Sequence, residues 1–298
     1  MNMKTLNIVG AGRAGRTLAR LWFEQGVFAI QCVLNRTPAS AREAIAFIGA
    51  GSACASAQDM RLADVWLIAT PDGEITRAAQ ALAASGLLRA GNVVFQLSGA
   101  TPSRELSAVF NADVCVASVH PLKSFVDAAE AGRTFAGTYC ATEGSAAALA
   151  VLRPAFEQIG AHVNEIDPQF KIVYHAASVM VCNYLTALME AGLQCYEKAG
   201  LPRATASAMM EPLVRETVDN VFRLGTVKAL TGPIARGDHA VVARQLAALH
   251  EFDPRIGEIY RSLGVMAVNL SRDQGGASTQ SLDATVRALA HSQVRPSQ

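Results

Sequence analysis

Leu6-Asn7-Ile8-Val9-Gly10-Ala11-Gly12-Arg13-Ala14-Gly15 decides the fold of this chain. A short apolar strand runs straight into Gly-x-Gly-x-x-Gly, and a helical pattern opens near Arg13, the context in which that glycine spacing carries a mechanism. Gly10 permits the tight turn, Gly12 lets the backbone approach a pyrophosphate, and Gly15 lets helix and strand pack closely. The helix start offers unpaired N–H groups to an anion. Gly10, Ala11, Gly12, Arg13, Ala14 and Gly15 are therefore the expected dinucleotide-binding residues. The alternative, a glycine turn that binds nothing, is disfavoured by the strand before it and the helix after it.

Outward from that motif, β-branched runs alternate with Ala-rich helical segments up to about Ile166, the pattern of a parallel sheet covered by helices. Expected strands are Thr5–Val9, Ile30–Leu34, Val65–Ala69, Val93–Gln96, Val114–Val119 and Thr138–Ala141. Expected helices between them are Arg13–Glu24, Ala39–Phe47, Glu74–Ser85 and Ser145–Ile159. After Asp167-Pro168 long helical periodicity takes over, in Gln169–Ala199, Ala204–Leu224, Ala240–His250 and Pro254–Leu270, with a short helix at the end. The expectation is an α/β Rossmann domain over residues 1–166, followed by an all-α substrate and dimerisation domain over 167–298.

With 51% hydrophobic and only 17% charged residues among 298, the chain can bury a large core. Its 26 Lys and Arg against 25 Asp and Glu leave no general field that would gather nucleic acid or an anionic membrane. A small-molecule partner fits better. The six cysteines are scattered without Cys-x-x-Cys pairs, which suits free thiols in the reducing cytoplasm, and no spacing of His or Cys suggests a metal site. The start, Met1 to Val9, leaves no room for a signal peptide ahead of the glycine motif. His175, Asn183 and Glu190 interrupt the membrane-like run Ile172–Leu193, so a buried central helix is expected there.

The second strand ends in Asn35-Arg36-Thr37, where an NAD-preferring domain usually carries an acidic residue for the ribose 2′-OH. NADP(H) is the expected cofactor: Arg36 can pair with a 2′-phosphate, and Asn35 and Thr37 can donate to it. Arg13 is a second candidate for a phosphate, and a merely solvated Arg36 is the alternative. Thr70 and Pro71, after the buried strand from Val65, should line the cofactor, with Asp72 or Gly73 capping the next helix.

Two further strands end at the same edge, in Gln96-Leu97-Ser98-Gly99 and in Val119-His120-Pro121. His120 is placed to exchange a proton with a substrate, its unperturbed pKa suiting that role, or else to pack before a rigid turn. Ser98 can bond substrate or serve only the turn. On the long helix Lys171, His175, Ser178 and Cys182 share one face with Asn183 at its edge, so His175 and Asn183 are candidates for a cleft while Lys171 reads as a candidate or a solvated residue near the helix start. Arg236, in the stiff segment Gly232-Pro233-Ile234-Ala235-Arg236-Gly237-Asp238, can bind a substrate carboxylate or phosphate, with Asp238 as an N-cap.

The glycine motif, Asn35-Arg36-Thr37, His120-Pro121-Leu122 with Phe125, Tyr174-His175-Ala176-Ala177 with Asn183-Tyr184-Leu185, and Gly232 to Asp238 together resemble an uncharacterised bacterial family. Its members join a Rossmann-like domain to a C-terminal domain of unknown function and carry the label of deazaflavin-dependent NADP oxidoreductases. The wider resemblance is to 6-phosphogluconate dehydrogenase-like enzymes, including pyrroline-5-carboxylate reductase, ketopantoate reductase and prephenate dehydrogenase. It implies an all-helical second domain through which two copies dimerise. Lys171 matches the helix lysine of the β-hydroxyacid dehydrogenases, with His175 where they carry Asn, and His120-Pro121 resembles the catalytic His-Pro of prephenate dehydrogenases. The expected activity is hydride transfer between NADP(H) and a small carbonyl, imine or 2-hydroxy compound, with His120, His175, Asn183, Lys171 and Ser98 as catalytic candidates. A non-catalytic NADP(H)-binding sensor or assembly protein is the alternative from a different class.

Overall fold

A computed structural model describes residues 3–290 and divides into two compact units between Asn183 and Tyr184. In the first, the chain order is β1 (Lys4–Val9), α1 (Arg13–Glu24), β2 (Phe28–Leu34), α2 (Pro38–Ile48), β3 (Ser52–Cys54), β4 (Val65–Ile68), α3 (Ile75–Ala84) and β5 (Val93–Gln96). A 3-10 segment, Ser103–Ala112, leads into β6 (Cys115–Pro121), α4 (Ala128–Arg133), β7 (Tyr139–Gly144), α5 (Ala146–Gln158), β8 (His162–Glu165) and α6 (Lys171–Val181). The strands form one sheet in the order β3-β2-β1-β4-β5-β6-β7-β8. Strand alternation ends at Glu165, as the periodicity predicts, but the first unit keeps α6.

The sheet is parallel from β3 to β6, whereas β7 runs antiparallel to β6, and β8 follows β7. The fully parallel sheet expected from the sequence is thus corrected at one end. The chain leaving β6 turns back through the short α4 without crossing the sheet, and a strand that starts at the edge where its neighbour ended must run the other way. The order reverses beside β1, which opens a crevice at the carboxyl ends of β1 and β4.

Both faces of the sheet are covered at its centre, which is why a strand such as β4 is a continuous apolar run rather than an alternating one. On one face Trp22 of α1 meets Phe28 and Phe156 edge-on, with ring centroids 5.4 and 5.2 Å away, and its indole N–H donates to the Ala155 carbonyl at 3.0 Å. On the other, Trp66, Ile68 and Val94 pack with Leu82 of α3 and Leu106 and Val109 of the 3-10 segment.

The second unit contains α7 (Asn183–Lys198, from its second residue on), α8 (Arg203–Leu224), α9 (Thr226–Ala229), α10 (Pro233–Arg236), α11 (His239–Phe252), α12 (Pro254–Gln274) and α13 (Thr279–Ala290). Val242, Leu246, Val268, Leu282 and Leu289 form its core, and an apolar cavity of about 540 Å³ lies beside it, lined by Leu188, Ala191, Ile256 and Leu263. The single buried helix expected over Gln169–Ala199 is corrected in two ways. It breaks at Cys182 (φ −113°, ψ −68°), and its apolar residues face outward, with Ile172, Val173, Val181 and Tyr184 each more than 60% exposed. Pro168–Lys198 is long and apolar enough to cross a membrane by length and composition alone.

Candidate functional site

At the end of β1, Gly10 adopts φ +87°, a left-handed conformation that suits glycine, and a Cβ there would lie 2.8 Å from the Thr70 nitrogen. A Cβ on Gly15 would press on Ala69, so the first and third glycines hold β1, α1 and β4 together. Gly12 is different: no atom lies within 4 Å of its Cβ position, leaving the backbone open to a ligand. No side chain caps α1, whose first-turn N–H groups therefore point out of the helix start without a protein partner of that kind. The Thr70 hydroxyl is buried beside this loop without a hydrogen-bond partner among the described residues. Open backbone, uncapped amides and an unsatisfied hydroxyl fit the diphosphate of a dinucleotide.

The loop after β2 is partly reassigned. Asn35 accepts from the Ala11 N–H at 2.6 Å and donates to the Ser40 carbonyl at 2.9 Å, so it braces the glycine loop against α2. Thr37 is the N-cap of α2, accepting from the Ser40 N–H. Neither is the free donor that the sequence suggests. Arg36 is exposed and, among the described residues, makes no hydrogen bond or ion pair, which leaves its guanidinium free for an anion. Arg13 donates to the Val126 carbonyl at 3.0 Å. Pro71 is exposed, and Asp72 does not cap the next helix; its carboxylate accepts from the Ser98 hydroxyl at 2.7 Å.

Three aromatic polar side chains gather at the ends of β5 and β6. His120 Nδ1 lies 3.0 Å from the Tyr174 hydroxyl of α6, and the His120 and His175 rings stand edge to face 5.5 Å apart. Both imidazoles rest on Gly99, where a Cβ would fall 2.3 Å from His175 Nδ1 and 2.9 Å from His120 Nε2. Packed there, His175 Nδ1 is buried without a hydrogen-bond partner among the described residues. Burial, aided by the neighbouring His175 and the Lys171 ammonium and opposed by Asp72, pushes His120 down to about 4. Burial also pushes the Tyr174 hydroxyl up to about 12, with Cys140 adding to it. The near-neutral imidazole expected at His120 is thus corrected, and at pH 7 the pair is uncharged.

Lys171 is not solvated, as its place near the helix start suggested, but 1% exposed. Its ammonium pairs with Glu143 of β7 at 3.1 Å and bonds to the Ser118 hydroxyl of β6, while Glu143 accepts from the Ser103 N–H and hydroxyl, each at 2.7 Å. Burial lowers the ammonium below its ordinary pKa, with the Glu143 carboxylate opposing. Ser98 is buried, and besides donating to Asp72 its hydroxyl accepts from the N–H groups of Ala100 and Thr101 at 3.1 and 2.9 Å. Ser98 therefore builds the turn that carries Gly99. Asn183 opens α7 exposed, and Ser178 of the stripe donates to the Tyr174 carbonyl at 3.4 Å. In the second unit Arg236 is exposed and paired with Asp238 at 3.1 Å, and Asp238 makes no side-chain cap.

Tyr174, Glu143, Ser118 and Gly99 escaped the sequence reading as site residues. A charged Glu143 at the end of the apolar stretch Tyr139-Cys140-Ala141, read against Lys171, carried a usable signal, since a buried charge needs a partner. The Tyr174–His120 contact had none beyond adjacency to His175.

The His120 imidazole gives a pH dependence of stability. Its folded pKa of about 4 lies below the ordinary 6.5, so between those values the unfolded chain binds the proton first. This contribution is complete above pH 6.5 and falls away by about 3 kcal/mol as the pH drops to 4. Urea unfolding at pH 7, 5.5 and 4.5 should show that decline, and His120→Gln should flatten it.

Residues 2–121 match the family model of a Rossmann-like domain, and residues 138–266 match that of DUF2520, a domain of unknown function. Among curated proteins none matches the chain in sequence. Among solved structures, protein TM1727 from Thermotoga maritima is similar with a TM-score of 0.72 at 23% identity, over 91% of this chain and 100% of that one. BF3122 from Bacteroides fragilis follows at 0.68 and 22%, over 91% and 98%. An imine reductase from Myxococcus stipitatus in complex with NADP+ reaches 0.63 at 19%, over 95% and 99%. At such identities the likeness establishes fold.

Proposed function

We propose that this chain, which pairs a Rossmann-like domain with a DUF2520 domain, is an NADP-dependent oxidoreductase acting on a small carbonyl, imine or 2-hydroxy compound. The observation that carries the reading is an uncapped glycine-loop helix at the carboxyl edge of the sheet, with His120, Tyr174 and His175 gathered at that same edge. From β1 to β6 is three strand spacings, about 14 Å. The imine reductase of similar fold holds NADP+, which supports the cofactor assignment.

The first-turn amides of α1 and the open backbone at Gly12 would hold the diphosphate, and Arg36 would hold a 2′-phosphate. A nicotinamide cofactor bound there supplies or takes up hydride. The Tyr174 hydroxyl and His120 Nδ1 hold a proton between them that can pass to or from a substrate oxygen or nitrogen. Lys171 and Ser98 are engaged within the protein and Asn183 is set apart from this couple, so the proton chemistry is assigned to Tyr174 and His120, with His175 beside them.

Calorimetric titration should show NADPH binding more tightly than NADH. Arg36→Ala should weaken NADPH by about 10–100-fold, the worth of a charge-assisted pair, and leave NADH nearly unchanged. Equal losses for both cofactors would remove Arg36 from the phosphate site. Cofactor binding with no turnover that depends on His120 would instead assign the chain to NADP(H)-binding sensors.

The exposed apolar residues of α8, among them Leu213 and Phe222, support a homodimer through the helical domain, which light scattering would read as two chains per particle. We read the apolar run of α6 and α7 likewise as a subunit interface rather than a membrane span, because His175, Asn183 and Glu190 lie within it. Free cysteines throughout the described residues support a cytoplasmic location.

A further inference from the structure

Lys171 is the first residue of α6, yet its ammonium is sealed in. Glu143 and Ser118 take its hydrogen bonds, and both it and Glu143 are more than 95% buried. The chain of contacts continues from the Ser118 hydroxyl to the Ser98 carbonyl at 3.2 Å, and from the Ser98 hydroxyl to Asp72. It therefore ties β7, β6, the turn carrying Gly99 and the loop after β4 to one point on α6. Tyr174 and His175 follow Lys171 by three and four residues, so they leave α6 on the face that this point holds down. We propose that Lys171 is a positioning residue, whose pairing with Glu143 and Ser118 seats α6 on the sheet so that Tyr174 and His175 meet His120 over Gly99. It rests on the reading of the His120–Tyr174 couple as the reaction centre, but its geometry can be tested in the absence of cofactor and substrate.

The test is the titration of Tyr174, followed by NMR in protein carrying ring-labelled tyrosine. The groups facing this hydroxyl are His120 of β6 and Cys140 of β7, with His175 beside it on α6. Lys171→Met with Glu143→Gln removes equal and opposite charges and keeps an acceptor for Ser103, so a change at Tyr174 reports movement of α6 rather than lost charge. The midpoint should fall from about 12 by at least one unit, a tenfold loss of proton affinity, as the hydroxyl becomes solvated. The slowly exchanging proton shared with His120 should vanish with it.

Where turnover is measurable, kcat should fall with KM nearly constant. A Tyr174 midpoint unchanged in a folded double variant would overturn the proposal. Should that variant not fold, Ser118→Ala decides. It keeps both charges and removes one Lys171 acceptor, and it should lower the Tyr174 midpoint in the same direction, while a midpoint equal to that of the parent protein would overturn the proposal. Absence of turnover in the parent protein would sink the catalytic reading and leave this titration just as decisive.

Discussion

Lys171→Met, made alone, should lower the unfolding free energy by about 3–5 kcal/mol, because it strands the Glu143 carboxylate inside the protein with its countercharge gone. Glu143 is buried in β7 and would retain only the Ser103 N–H and hydroxyl as partners. The loss arises from what is left behind rather than from the ion pair itself, since removing two buried charges from water already costs much of what their attraction returns. Lys171→Met with Glu143→Gln should therefore recover most of the stability lost by the single variant. Denaturant unfolding of the parent, the single and the double variant distinguishes the cases. If the single variant is within about 0.5 kcal/mol of the parent, the buried pair holds nothing in place.

Much of this fold was legible because its signals are local. The helix after the glycine motif begins at Arg13 and ends at Glu24 as its apolar spacing predicts, and the buried strands around Val65 and Val93 stand where β-branched runs meet turn residues. The two short edge strands, Ser52–Cys54 and His162–Glu165, were not, since three or four half-exposed residues have too little periodicity to be read and are defined by their neighbours. The same distinction separates the two halves of the site. The diphosphate cradle is one continuous stretch of chain, whereas the Lys171–Glu143 pair joins residues 28 apart and the Tyr174–His120 contact joins residues 54 apart. Periodicity placed Lys171 and His175 on one helix face, but the depth of that face depends on what covers it. Lys171, which its place near the helix start left open between a site role and solvent, is sealed in, and the run from Ile172 read as buried carries exposed apolar side chains, Ile172, Val173 and Val181 among them.

Gly99→Ala should reduce turnover by about 100-fold and stability by about 1–3 kcal/mol, although a methyl group is the smallest addition a side chain can make. The added Cβ would lie 2.3 Å from His175 Nδ1 and 2.7 Å from His120 Cε1, so at least one imidazole must move. His120 is held edge-on between His175 and Tyr174, with ring centroids 5.5 and 5.7 Å away, and any tilt that clears the methyl group stretches the 3.0 Å contact to the Tyr174 hydroxyl. A displacement near 1 Å at a group that must meet substrate in one orientation is enough to lose two orders of magnitude in rate. Gly73→Ala supplies the control, because nothing lies within 4 Å of its Cβ position and it stands in the short 3-10 turn between β4 and α3. Thermal melts, NADPH oxidation against a panel of small imines and carbonyl compounds, and the shared His120–Tyr174 proton signal should all change in Gly99→Ala and stay put in Gly73→Ala. A Gly99→Ala protein with parental melting and an intact shared proton would mean that the two imidazoles are mobile over the sheet edge, and a mobile pair lacks the fixed geometry on which proton transfer in this pocket depends.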